Sequence, residues 1–69
     1  MKIIFNGVER VMNAKANLYY DLLLPLKVKE DKPGVAVAIN DDIIAKSEWQ
    51  CTKLQENDRV EIIQAVQGG

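Results

Sequence analysis

The sequence predicts an α+β domain in which one helix lies across one face of a four- to five-stranded sheet. Three features lead there: an Asn6-Gly7 pair between two short β-forming runs, a leucine repeat at spacings of four, and an alternating strand near the end, RVEIIQAV. With 69 residues the chain has room for one domain, expected over residues 1–66, followed by a flexible tail at 67–69.

The first strand is predicted from Lys2 to Asn6, and Asn6-Gly7 is a hairpin signal because a type I′ turn needs φ > 0 at both central positions. Val8 to Met12 forms the returning strand. The period then changes: Leu18, Leu22 and Leu26, with Leu23 beside them, line one face of a helix. Asn17 is placed to cap it, and Asp21 to interact with the positive end of the helix dipole. Pro25 lacks an N–H and inside a helix costs about 3 kcal/mol, so regular winding is predicted to end or distort near Leu24.

Lys27 to Gly34 is polar, closes with Pro-Gly and reads as an exposed connection. Val35 to Ile39 is a strand, and Asn40-Asp41-Asp42 turns into a short strand at Ile43 and Ile44. Those three polar residues lack the glycine and closing glutamate of a calcium loop, which leaves turn chemistry. Within Lys46 to Leu54, one helical turn capped by Ser47 is predicted. Trp49 is expected as a lid over one edge of the core, its indole N–H reaching water. Cys51 has no basic neighbour nearer than Lys53 and no second cysteine, so it reads as a buried or incidental thiol rather than a nucleophile. After a turn at Glu56-Asn57-Asp58, the last strand runs from Arg59 to Val66. Val60, Ile62 and Val66 share one parity and Glu61, Ile63 and Ala65 the other; the first set is expected under the helix.

Composition narrows function. Apolar types are 48 % and charged types 28 % of the residues, the balance of a soluble globular protein. Nine basic against ten acidic residues give a net charge of −1 with no polybasic stripe, so no nucleic-acid partner is expected. The absence of His removes the commonest general base and zinc ligand near neutral pH. A domain of this size buries only about 60 % of its unfolded surface. A self-contained enzyme is not expected, and no catalytic or metal-binding side chain is assigned. A single cysteine makes no internal disulfide, which suits a reducing compartment. After Lys2 only three apolar residues precede Asn6-Gly7, too few for a signal peptide, and no run approaches the roughly 18 apolar residues of a membrane span. A cytoplasmic location without a membrane partner is the expectation.

The chemistry is expected at the end, Val66-Gln67-Gly68-Gly69. Glycine tolerates almost any φ and ψ, so a Gly-Gly end can thread a narrow channel in a partner and deliver the α-carboxylate of Gly69. A carboxylate is a poor electrophile and needs activation, commonly by transfer of AMP from ATP. The sequence has neither a GxxxxGK[ST] loop nor a GxGxxG turn, so a partner must supply that step. If Ile3, Phe5, Val37, Ile39, Val60 and Ile62 face the helix, then Ile4, Ala36, Ala38, Ile63 and Ala65 lie on the opposite sheet face. They are expected to form a shallow apolar patch, poor in charge, for transient docking beside the tail.

The segments KIIFNG, VAVAIN, SEW, NDRVEII and AVQGG together resemble the ThiS family, the sulfur carriers of thiamin biosynthesis, through nearly the whole chain. Two departures, an Asn-Leu before the helix and the Asp41-Asp42 turn, affect packing and leave the tail untouched. The resemblance implies a ubiquitin-like β-grasp fold with its first and last strands adjacent and parallel. It also implies a cycle. A ThiF-like adenylating enzyme, using ATP and Mg, activates the Gly69 carboxylate; a sulfur donor protein converts the acyl-adenylate to a thiocarboxylate; a ThiG-like thiazole synthase receives the sulfur. Val66, Gln67 and Gly68 would then be the recognised tail, no cofactor would be bound by this chain, and Cys51 would not be needed as a persulfide. A MoaD-like small subunit of molybdopterin synthase, a carrier for tRNA thiolation, a ubiquitin-like modifier of lysines and a plain interaction module remain as alternatives. SEW and AVQGG favour the first reading.

Overall fold

The computed structural model describes residues 1–64, so the expectations for Ala65, Val66, Gln67, Gly68 and Gly69 lie outside the described residues. Asn6 and Gly7 take φ of 49° and 83°, both left-handed as a type I′ turn requires. They fold β1 (Lys2–Phe5) back onto β2 (Val8–Val11), pairing Ile3 with Arg10 and Phe5 with Val8. Asn40 and Asp41, with φ of 51° and 72°, do the same between β3 (Val35–Ile39) and β4 (Asp42–Ile44). Asn and Asp tolerate this conformation, so the second hairpin manages without glycine.

Strand β5 (Arg59–Gln64) fits between the hairpins, parallel to β1 with Phe5 opposite Val60, and antiparallel to β3 with Val37 opposite Ile62. The order is β2-β1-β5-β3-β4. This is the β-grasp arrangement, with the first and last strands adjacent and parallel.

The helix begins where Asn17 caps it. Asn17 Oδ1 accepts from the N–H groups of Tyr19 (2.8 Å) and Tyr20 (2.9 Å), while Asp21 Oδ2 accepts from the Asn17 N–H (2.6 Å). Leu18–Leu23 is wound as a π-helix, the Leu24 N–H reaching back five residues to the Tyr19 carbonyl. A tight 3-10 turn, Leu24–Leu26, follows with Pro25 at its start, where the missing N–H is tolerated. The distortion expected near Leu24 is therefore a change of winding. Lys27 closes the turn at φ 62°: its N–H donates to Leu24 O and that of Val28 to Leu23 O, both at 2.9 Å. This is a Schellman closure, and the two positions that usually carry its apolar contact, Leu23 and Val28, both belong to the buried core. Leu18, Leu22 and Leu23 are fully buried, but Leu26 is 39 % exposed because the tighter turn rotates it off the predicted face.

Beneath the helix lie Ile3, Val37, Ile39 and Val60, with Phe5 and Ile62 packed at the margin, so the parity predicted for the inner face holds. Two expectations for the segment after β4 are corrected. Lys46–Cys51 is a 3-10 helix whose N-cap is Ala45, without a side-chain bond; Ser47 lies inside it, because the bond from Glu48 N–H to Ala45 O starts the turn earlier. Trp49 is fully buried rather than a lid. The longer 3-10 segment carries it to the core side, where its ring stacks near Tyr19 (centroids 6.4 Å apart) and its N–H donates to Ile44 O at 3.0 Å. Cys51, at the end of this segment, is exposed.

The 27–34 connection is exposed apart from Val28 and Lys46 and Gln50 hold it from the 3-10 helix: Lys46 Nζ donates to Lys32 O (2.7 Å) and Gln50 Nε2 to Glu30 Oε1 (2.9 Å). No helix among the described residues is long and apolar enough to cross a membrane.

Candidate functional site

The face of the sheet turned away from the helix is assembled by register. Ile4 pairs with Arg59, Ala36 with Ile63, and Ala38 with both Glu61 and Ile43. Directly paired residues share a face, so Ile4, Ala36, Ala38 and Ile63 come together as their alternation predicts. Ile63 is 50 % exposed, and Ile4 and Ala36 are half-buried. Ala38 is only 6 % exposed. The expected exposed Ala38 is corrected: its single methyl lies between the larger side chains of Glu61 and Ile43 on the neighbouring strands and forms a floor.

The expectation of a face poor in charge is also corrected. The alternation that turns Val60 and Ile62 inward turns Arg59 and Glu61 outward beside Ile63. Arg59 meets Asp41 at 2.9 Å, and Lys2 meets Glu9, across from Ile4, at 3.4 Å. Such exposed pairs contribute about 0–1 kcal/mol to stability. Charges of this kind beside an apolar surface affect orientation and on-rate in complexes more than they affect stability. Arg59 and Glu61 were missed because only apolar members of the patch were considered, and Ile43 because its place depends on which strand β4 pairs with. Strand parity placed Arg59 and Glu61 beside Ile63, and the pairing of β3 with β4 places Ile43.

An open hollow of about 490 Å³ sits on this face, lined by Ile4, Asn6, Gly7, Arg59 and Glu61. At its rim Asn6 Oδ1 accepts from the Ile62 N–H at 3.0 Å, tying the first hairpin turn to β5. The last described residue of β5 is Gln64, opposite Val35, and residues 65–69 follow in the sequence. The buried carboxylate of Asp58 is occupied structurally, accepting from Asn40 Nδ2 (3.0 Å) and the Gln55 N–H (2.8 Å). Among the described residues no group of three or more Cys, Asp or Glu side chains is placed to hold a metal ion.

The sequence matches the model of the ThiS family over residues 3–69, a span that takes in both the sheet face and the Gly68-Gly69 end. The chain belongs to the ThiS family. Among solved structures this ThiS-family chain is similar to the thiamine biosynthesis protein (ThiS) from Geobacter metallireducens, with 26 % identity, 100 % of each chain covered and a TM-score of 0.77. No match was found among the curated proteins. The agreement over both whole chains extends the likeness from the sheet to the helix and both hairpins of this ThiS-family fold.

Proposed function

We propose that the protein is a sulfur carrier in thiamin biosynthesis, a protein substrate rather than a catalyst. The observation that carries this reading is the family match, which runs through Gly68-Gly69. A ThiF-like partner binds ATP and Mg; an oxygen of the Gly69 carboxylate attacks the α-phosphorus, pyrophosphate leaves, and an acyl-adenylate forms. The terminal sulfur of a persulfide on a donor protein then attacks the acyl carbon and displaces AMP, and a second thiol attacks the donor's sulfur of the resulting acyl disulfide, forming a disulfide with the donor and releasing the thiocarboxylate. Sulfur in this form is a soft, strong nucleophile, which a ThiG-like synthase incorporates into the thiazole. Glycine at 68 and 69 leaves the acyl carbon unshielded and lets Val66 to Gly69 enter a narrow channel. Ile4, Ala36 and Ile63, over the Ala38 floor, form the docking patch, with Arg59 and Glu61 orienting the partner. The carrier works in the cytoplasm.

Intact mass spectrometry after incubation with the activating enzyme, MgATP and a sulfur donor tests the cycle. The expected product gains the mass of one sulfur replacing one oxygen, located on Gly69 and lost when Gly69 is deleted. An unmodified terminus under those conditions sinks the proposal, and isopeptide linkage of Gly69 to lysines of other proteins would indicate a modifier instead.

A further inference from the structure

We infer that Asn6 is a positioning residue for the C-terminal tail, acting through β5 by replacing a backbone carbonyl that the sheet has lost. The inference rests on the carrier reading for its functional consequence alone. In a parallel pair the ladder bonds recur evenly along the strands. Here the Ile4 N–H donates to Asp58 O (2.8 Å) and the Asn6 N–H to Val60 O (2.9 Å). The next bond in that series would run from the Ile62 N–H to the carbonyl of Asn6. At φ 49° Asn6 has already turned into the hairpin, and the Ile62 N–H does not bond its carbonyl.

The side chain takes over. Asn6 Oδ1, chemically the same amide oxygen as a peptide carbonyl, accepts from the Ile62 N–H at 3.0 Å. β1 thus gains one more rung against β5 than its backbone can supply. Among the described residues that rung is the last on this side of β5: β1 pairs with β5 at Ile4↔Arg59 and Phe5↔Val60, whereas β3 continues on the other side to Gln64. Asn6 therefore holds the strand on its otherwise open side just before the chain enters residues 65–69. Asparagine meets two demands at once. Glycine would satisfy the left-handed turn but has no oxygen to offer, and most other residues with an acceptor fit the turn poorly.

This separation gives the test. Asn6→Gly keeps the turn and removes the acceptor; Asn6→Asp keeps both turn tolerance and acceptor. In amide hydrogen exchange, Ile62 is expected to lose protection in Asn6→Gly and retain it in Asn6→Asp. With the adenylating partner, KM for the Asn6→Gly chain should rise by about threefold to tenfold, the equivalent of one ordinary hydrogen bond, with kcat unchanged. Asn6→Asp should return KM to within about twofold of the unaltered chain, a rescue that a simple turn defect would not show. Equal Ile62 protection in Asn6→Gly and the unaltered chain, unchanged KM in Asn6→Gly, or failure of Asn6→Asp to rescue overturns the inference. The exchange arm needs no partner. If the unaltered chain is not adenylated, the carrier reading fails separately, and Ile62 protection still decides the role of Asn6.

Discussion

Trp49 is fully buried and gives its indole N–H to the carbonyl of Ile44 at 3.0 Å, so the largest side chain of the core is tied to the end of an edge strand. Trp49→Phe leaves that carbonyl without its donor and should cost about 1–3 kcal/mol, read as a lower urea midpoint at unchanged slope. Trp49→Ala should cost about 3–5 kcal/mol. Total stability is roughly 0.05–0.15 kcal/mol per residue, so Trp49→Ala should leave much of the chain without the far-ultraviolet dichroism of the fold. A midpoint for Trp49→Phe equal to that of the unaltered chain would show that the bond contributes nothing.

Lys27 should be improvable. It occupies the left-handed position of the Schellman closure at φ 62°, is exposed, and makes no side-chain hydrogen bond among the described residues. Lys27→Gly removes the steric cost of that conformation, offset in part by the larger entropy of the unfolded chain, for a gain of about 0.5–1 kcal/mol. Chemical denaturation measures it; a destabilised variant would mean that Lys27 is held by something other than the turn.

Asn17 joins two elements. Besides capping the helix, it donates from Nδ2 to Gln50 O at 2.9 Å. Asn17→Ala should cost about 2 kcal/mol, more than Asn17→Ser, which retains a capping oxygen and loses only the tie to the 3-10 helix. Equal midpoints for the two variants would assign the whole effect to that tie.

On the sheet face, Ile63→Glu should change stability by no more than about 0.5 kcal/mol, because the side chain is half exposed, yet raise KM for adenylation about tenfold. Leu26→Gln, on the helix side, serves as the comparison and should leave KM unchanged. Equal effects of the two substitutions on KM would remove the patch from the docking surface.

Deleting Gly69 should abolish adenylation while leaving the melting temperature unchanged, since the described core is built from residues before 65. Gly68→Val should do the same by adding a branched side chain where the channel admits none. Pyrophosphate exchange reads both. Full activity of either would place the reacting group elsewhere.

Elements governed by local rules were legible in the sequence. Asn6-Gly7 announced its turn, Asn17 its cap, and the Val60/Ile62 alternation its inner face, because each depends on neighbours in the chain. Errors arose where distant residues decide. Ser47 is a good capping residue, but the carbonyl of Ala45 starts the turn first. The depth of Trp49 depends on Tyr19 and Ile44, and the burial of Ala38 on the larger side chains of Glu61 and Ile43 across two registers. The substitution of Asn6 Oδ1 for a ladder carbonyl needs both the turn geometry and the β1–β5 pairing, which no single stretch contains.

The place of β5 at the centre of the sheet also orders biogenesis. The hairpins β1–β2 and β3–β4 have no strand in common, and only β5 joins them. Such non-local closure is slow compared with hairpin formation. A growing or truncated chain that stops before Arg59 is left with two unjoined hairpins and lacks the segment that partners would modify. Completion of the sheet thus waits on synthesis through β5, the strand that joins the two hairpins.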